Sequence, residues 1–324
     1  MRKIIGAVFG ATVLGMLFVA SFLGALHAPE PHHVPVGVVG PQAVADRLGA
    51  ALSKARPGAI DLTAYPTAAA ARAALLGRDV DGVIDPAAAK LTVASAAGRT
   101  AAAVLTTVFQ NVAKAQGATL TVEDAVPLPP GDSGGIAGMF YALALVLPGI
   151  GLAVLLSQVA PALGAPARAG VLLLGAVTAA LGNAWLADTV LGALPGAFTA
   201  LVLSSAVLVL TVALVVAGLL RLVGPAGAGL AALLFIPIGL PAGGGPLGAD
   251  FVPEWYAAVG KVLPVGPGGE LIRNVVHFDG AALAAPLTVL GCWALAGVLL
   301  LLVPARRPRP AAARGSEPVV AVGA

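Results

Sequence analysis

Residues Ala197–Leu220 read AFTALVLSSAVLVLTVALVVAGLL, an apolar run without a single charged side chain. The hydrocarbon core of a bilayer is roughly 30 Å thick and a helix climbs about 1.5 Å per residue, so about 20 such residues reach across it. Lipid offers no hydrogen-bonding partner to a bare backbone, and a helix is therefore the form this run must take in a membrane. Working outward, similar runs occupy Ile136–Val159, Ala169–Leu186, a glycine- and proline-broken stretch at Ala226–Leu240, and Ala281–Val303. A further one, Ile4–Leu26, stands near the N-terminus behind Met1-Arg2-Lys3. It is too long for the core of a signal peptide, about 7–15 residues, and no A-x-A cleavage site follows it, so it reads as an anchor.

Composition agrees. The chain is 59% hydrophobic and 10% charged, with mean hydropathy +0.97, whereas soluble domains carry about 25% charged residues. The net charge of +3 does not point to nucleic acid, because Arg2, Lys3, Arg168, Arg221, Arg306, Arg307, Arg309 and Arg314 all flank apolar runs and only Glu317 among these flanks is acidic. Such an excess of Lys and Arg marks the cytoplasmic side. Six crossings starting from an inside N-terminus leave Arg168, Arg221 and the arginine-rich tail inside, whereas five would put the tail outside. The expectation is thus a multi-pass protein of the cell membrane with both termini cytoplasmic. It comprises a first anchor (1–27), an extracytoplasmic domain (28–135), a five-span domain (136–304) with an outer loop at 247–280, and a cytoplasmic tail (305–324).

Between the first and second spans the composition changes, and about half of the charged residues fall in 28–135. Val34–Gly40, Ile60–Ala64, Val80–Ile84, Leu91–Ala94 and Leu120–Val122 have strand character, and Pro41–Ala55, Ala68–Leu76 and Thr100–Ala115 have helical spacing. The order β-α-β-α-β-β-α-β predicts a small α/β domain with a mainly parallel sheet. The stretch 127–135, PLPPGDSGG, then makes a hinge into the membrane.

Few residues suggest chemistry. No glycine-rich loop followed by Lys and Ser or Thr exists, so the chain is not expected to hydrolyse ATP or to act as an enzyme, and Gly37–Gly40 reads as a plain strand-to-helix turn. Cys292 is the only cysteine, which excludes an internal disulfide. His27, His32 and His33 lie among Pro29, Pro31 and Pro35, which keep them on an extended, solvated linker. Neither metal nor cofactor is expected. Asn183 and Asp188, near the outer end of the third span, are candidates for a polar site, although Asp188 is read as reaching the outer water layer. In the outer loop Phe251, Trp255, Val259 and Leu263 recur every fourth residue beside Tyr256, with Glu254 between them, and Glu270 and Arg273 follow on a second helical stretch. Two short amphipathic helices fit, with Trp255 and Tyr256 at headgroup level, either as an outer gate or as an ordinary interfacial loop. Glu254, Trp255, Glu270 and Arg273 are the candidate gate residues.

The layout of one span, an outer α/β domain and five further spans resembles the ABC type-2 exporter permeases, in particular the bacterial branch of phage-infection-protein-like membrane proteins. The stretches that carry the likeness are 127–135, PLPPGDSGG, and 263–274, LPVGPGGELIRN. The resemblance implies a homodimer, powered by a separate ATPase subunit, that moves an amphipathic or lipid-like substrate outward through the bilayer. The alternative is a multi-span surface protein whose outer domain binds an envelope partner or phage without transport.

Overall fold

The structure is a computed structural model and describes residues 1–303; the expected cytoplasmic tail lies outside them. The protein is polytopic and mostly helical. Five helices are long and apolar enough to cross a membrane: α1 (Arg2–Leu26), α5 (Ala137–Val159), α6 (Ala165–Ala184, extended by a π-helical turn, Trp185–Val190), α7 (Phe198–Val223) and α12 (Ala284–Leu302). The sixth expected crossing is shorter. There α8 (Ala226–Leu233), a π turn containing Pro237 and α9 (Gly239–Ala242) form one apolar run from Ala226 to Ala242. Its 17 residues span about 25 Å at helical rise.

Between α1 and α5 lies the α/β domain, in the order expected from sequence. Strands β1 (Val34–Val39), β2 (Ile60–Tyr65), β3 (Gly82–Asp85), β4 (Lys90–Val93) and β5 (Thr121–Asp124) form a sheet in the order β2-β1-β3-β4-β5. Every pairing is parallel except the β3–β4 hairpin. Alternation puts Val34, Val36, Val38, Ile84, Leu91 and Val93 on one face, under α2 (Gln42–Ala55) and α4 (Arg99–Ala115). Val83 faces the other side, under Ala71, Ala74 and Leu75 of α3 (Ala68–Leu76).

The helix built from the opening run is the hub of the membrane part. Helix α7 packs against α5, α6, α8, α12 and α11 (Val265–His277). Close approach depends on small residues: Ala176, Ala180 and Ala184 make a fully buried stripe on α6. Glycines on four other neighbours abut α7, Gly149 against Val212, Gly227 against Leu219, Gly268 against Leu208 and Gly297 against Leu214. Helix α1 is different. Among the described residues its main contacts lie toward its C-terminal end, where the Ser21 hydroxyl meets the Pro237 carbonyl and the Tyr256 hydroxyl, and most of its apolar side chains are exposed.

The bundle has two distinct ends. At one, the hinge before α5 meets the α6–α7 loop, with Gly131 against Gly192, and the Asp132 carboxylate accepts from the Ile136 and Ala137 amides to start α5. At the other, Arg221 Nε donates to the Val303 carbonyl, joining the ends of α7 and α12, and Arg168 Nη2 donates to the Ala160 and Pro161 carbonyls. The α/β domain sits at the first end and these two arginines at the second.

Candidate functional site

The loop at 247–280 folds into a hairpin, with α10 (Glu254–Val262) descending into the bundle and α11 returning. It does not lie flat at the surface. The indole Nε1 of Trp293, in the middle of α12, donates to the Val262 carbonyl, and Gly268 lies against Leu208, eleven residues into α7. The tip therefore reaches about halfway down the bundle. Two glycines allow it: Gly260 and Gly266 touch backbone to backbone, and Gly243 contacts Gly266.

The four-residue repeat is not one helix face. Phe251 lies in a 3-10 turn before α10, and Leu263 lies beyond its end. The buried face of α10 carries Tyr256, Ala257 and Gly260, whereas Trp255 is 72% exposed. Close backbone packing selects small residues, to which a hydrophobic count is blind.

Above the hairpin a charged collar joins it to the α/β domain. Arg78 Nη1 donates to Asp81 Oδ1, Nη2 to Glu270 Oε2 and Nε to Asn274 Oδ1, all at 3.3 Å. Its guanidinium also lies 5.0 Å from the centre of the Phe278 ring, a cation–π contact. Arg273 pairs with the other oxygen of Glu270. Asp250 completes the cluster beside Asp81. Two aromatic side chains lock the same junction: Phe278 is buried with Ala71, Leu75 and Val83 under one face of the sheet, and Phe251 with Val34 and Leu105 under the other.

Arg78 reaches the collar because of its backbone. Gly77 stays right-handed at the end of α3 and Arg78 takes φ +70°, while the Asp79 amide closes back on the Ala74 carbonyl. Glycine normally occupies this left-handed position. A long side chain held there, against its preference, is the kind of local strain that accumulates at functional sites.

The charges are unevenly matched. Burial, followed by the nearby Asp81 charge, pushes the Asp250 carboxyl up to about 6. Burial also raises Asp81, against the pull of Arg78. Burial opposes the charge on Glu270 too, but the guanidiniums of Arg273 and Arg78 outweigh it and hold this carboxyl below the ordinary glutamate range. Asp250 and Asp81 together thus form a carboxyl pair that favours holding a proton.

The remaining candidates separate into different places. Glu254 is exposed and pairs with His33 Nε2 at 3.4 Å, while His33 Nδ1 faces the Asp61 carboxylate at 3.1 Å. These contacts raise the His33 imidazole, the Asp61 hydrogen bond foremost. The Asn183 amide donates to the Ala179 carbonyl of its own helix. Asp188 Oδ1 accepts from the Gly196 amide at 2.9 Å and closes the α6–α7 loop. Neither meets the collar. Sequence reading missed Arg78, Asp81, Asp250 and Asn274; the one available signal was a long polar side chain directly after a helix-ending glycine. No group of three or more metal-ligating side chains occurs among the described residues. No protein-family model, no characterised protein and no solved structure matches the chain.

Proposed function

We propose that the chain is the membrane permease subunit of an ABC-type exporter, working as a homodimer with a separate ATPase subunit to move an amphipathic or lipid-like substrate outward. In this reading the run from Ala226 to Ala242 is the sixth crossing, since 17 residues lie at the short end of what spans a bilayer. The end carrying Arg168 and Arg221 faces the cytoplasm with both termini, and the α/β domain lies outside.

The observation that carries the proposal is the hairpin of α10 and α11. Its tip sits halfway down the bundle among α7, α9 and α12, and its upper part is held by the α/β domain through Arg78, Asp81, Glu270 and Arg273. A plug of that kind, gripped from outside, closes the outer mouth until the helices move. Motion driven from the cytoplasmic end would release it. The sequence has no phosphate-cradling loop, so in this reading the ATP chemistry is supplied by another chain.

Purification from native membranes in mild detergent tests the proposal: an ATPase subunit is expected with the chain, and recovery of the chain alone would count against it. Orientation is tested separately. In a Cys292→Ser background, a cysteine introduced at Ser53 should react with an impermeant maleimide on intact cells and one at Ala162 should not. The opposite pattern would overturn the topology.

A further inference from the structure

Helices α2 and α4 cover the same face of the sheet but leave a cleft between them. A cavity of about 670 Å³ fills its lower half and runs from Pro29, Pro31 and Phe251 up past Leu52, Val104 and Val108. A second of about 410 Å³ continues past Leu48 and Phe109 to Gln116 and Leu120. Ala51 and Val112 line both, so the two are successive parts of one groove. Its walls are branched apolar side chains that folding leaves half-exposed, among them Val44, Leu48, Leu52, Val104, Val108 and Val112.

Three features say what would cover them. The lower mouth opens at the membrane part, because Pro29 and Pro31 follow the end of α1 and Phe251 belongs to the loop before α10. The groove follows α4 from Thr100 to Gln116, about 24 Å at helical rise. That is longer than the ~15 Å that one leaflet's acyl chains occupy. The charge is one-sided: Arg56 stands by the lower cavity and Arg47 by the upper one, and among the described residues no carboxylate lines either. A chain-shaped apolar slot of ligand-binding size with a cation in each half and an entrance at the bilayer surface fits one chemistry. We propose that the α2–α4 groove binds the acyl chain of an anionic lipid, or of an amphiphile of the same build, taken from the outer leaflet. This rests on the exporter reading above for its orientation, with the α/β domain outside.

The test uses the full-length protein in phosphatidylcholine nanodiscs doped with phosphatidylglycerol that carries a photoactivatable diazirine in its acyl chain. After illumination, adducts are expected on peptides of α2 and α4. Ala51→Trp and Val108→Trp, which fill the groove from its two walls, should each reduce that labelling about tenfold, whereas Ala73→Trp on α3 should leave it unchanged. Two groove variants guard against one failing to fold, which thermal unfolding would reveal. Arg56→Gln should lower labelling by the phosphatidylglycerol probe, and not by its phosphatidylcholine counterpart, by about tenfold, the equivalent of roughly 1.4 kcal/mol for a lost charged contact. Adducts confined to the spanning helices, or groove labelling that survives both tryptophans, would overturn the proposal; equal labelling by the two headgroups would overturn its anionic part. An ATPase recovered with a chain whose groove takes no label sinks the groove alone. A labelled groove on a chain that recovers no ATPase sinks the exporter reading and leaves the groove standing.

Discussion

Removing the Arg78 side chain should release the α/β domain from the hairpin, and the structure sets the size of the effect. The guanidinium is 12% exposed and Asp81 17%, so this contact is largely shielded from water, whereas Glu270 is 45% exposed and its share is screened. Breaking a buried charged pair by deleting one partner costs about 3–5 kcal/mol. All three bonds of Arg78 measure 3.3 Å, long for a charged contact, and the lower figure applies. Arg78→Ala should therefore weaken docking by about 3 kcal/mol, on the order of 100-fold. Arg78→Gly makes the reasoning sharper. It loses the same side chain but relieves a left-handed backbone at φ +70°, recovering about 1 kcal/mol, so it should be the milder variant. Asp81→Asn combined with Arg78→Ala should cost less than the sum of the two, since they share one network. Amide hydrogen exchange in nanodiscs reads this out: β3 and α11 should exchange faster in the order wild type, Arg78→Gly, Arg78→Ala, with α7 unchanged. An Arg78→Ala protein that exchanges like wild type over both elements would refute the collar, and a glycine variant worse than alanine would refute the strain.

Docking should also strengthen on acidification. Asp250 is raised in the folded protein to about 6 from its ordinary 3.8, so its contribution is complete below the unfolded value and is lost as pH rises through about 6. Asp81 and His33, also raised, act with the same sign, and Glu270, lowered, opposes them only as pH falls below its ordinary 4.5; exchange over α11 should slow from pH 7 to 5, and Asp250→Asn should flatten that dependence. Gly266→Ala should disturb the hairpin more than Gly268→Ala. The added carbon would lie 2.6 Å from the Gly260 carbonyl oxygen, which is fixed backbone, but 2.7 Å from the Leu208 side-chain end, which can rotate; overpacking of the first kind costs about 1–3 kcal/mol in thermal stability. Asp188→Asn, which keeps an acceptor for the Gly196 amide, should change stability by less than about 0.5 kcal/mol, and Asp188→Ala, which leaves the loop uncapped, by about 1 kcal/mol. Arg168 is 7% exposed and its Nε has no hydrogen-bond partner among the described residues. Arg168→Met should leave the melting temperature unchanged or higher while reducing recovery of the proposed ATPase subunit; a lower melting temperature with recovery intact would assign the guanidinium to the fold instead.

Much of the fold was legible because it follows from solvent preference alone. Ala197–Leu220 announced the central helix, and the strands and helices between Val34 and Asp124 appear in the order that their alternation and spacing suggested. What stayed hidden depends on distance. Nothing in the local sequence links Arg78 to Glu270, which lie 192 positions apart. Hydropathy also ranks Trp255 above Ala257 and Gly260, although the small pair is what lets α10 descend and the tryptophan remains outside.

The same distinction separates the two kinds of polar residue in this chain. Asn183 and Asp188 interrupt apolar sequence, and each makes its hydrogen bond within its own helix or loop. Arg78 and Asp81 sit in a sequence where charge is unremarkable, and there the fold buries them against another domain. A charge that water could solvate, yet which the fold holds beside the proton-favouring Asp81 and Asp250 carboxyls, is held there at a cost in stability. That cost falls where the α/β domain meets the hairpin, which is why the proposed exporter reading assigns gating to the collar more than to the polar positions inside the apolar runs.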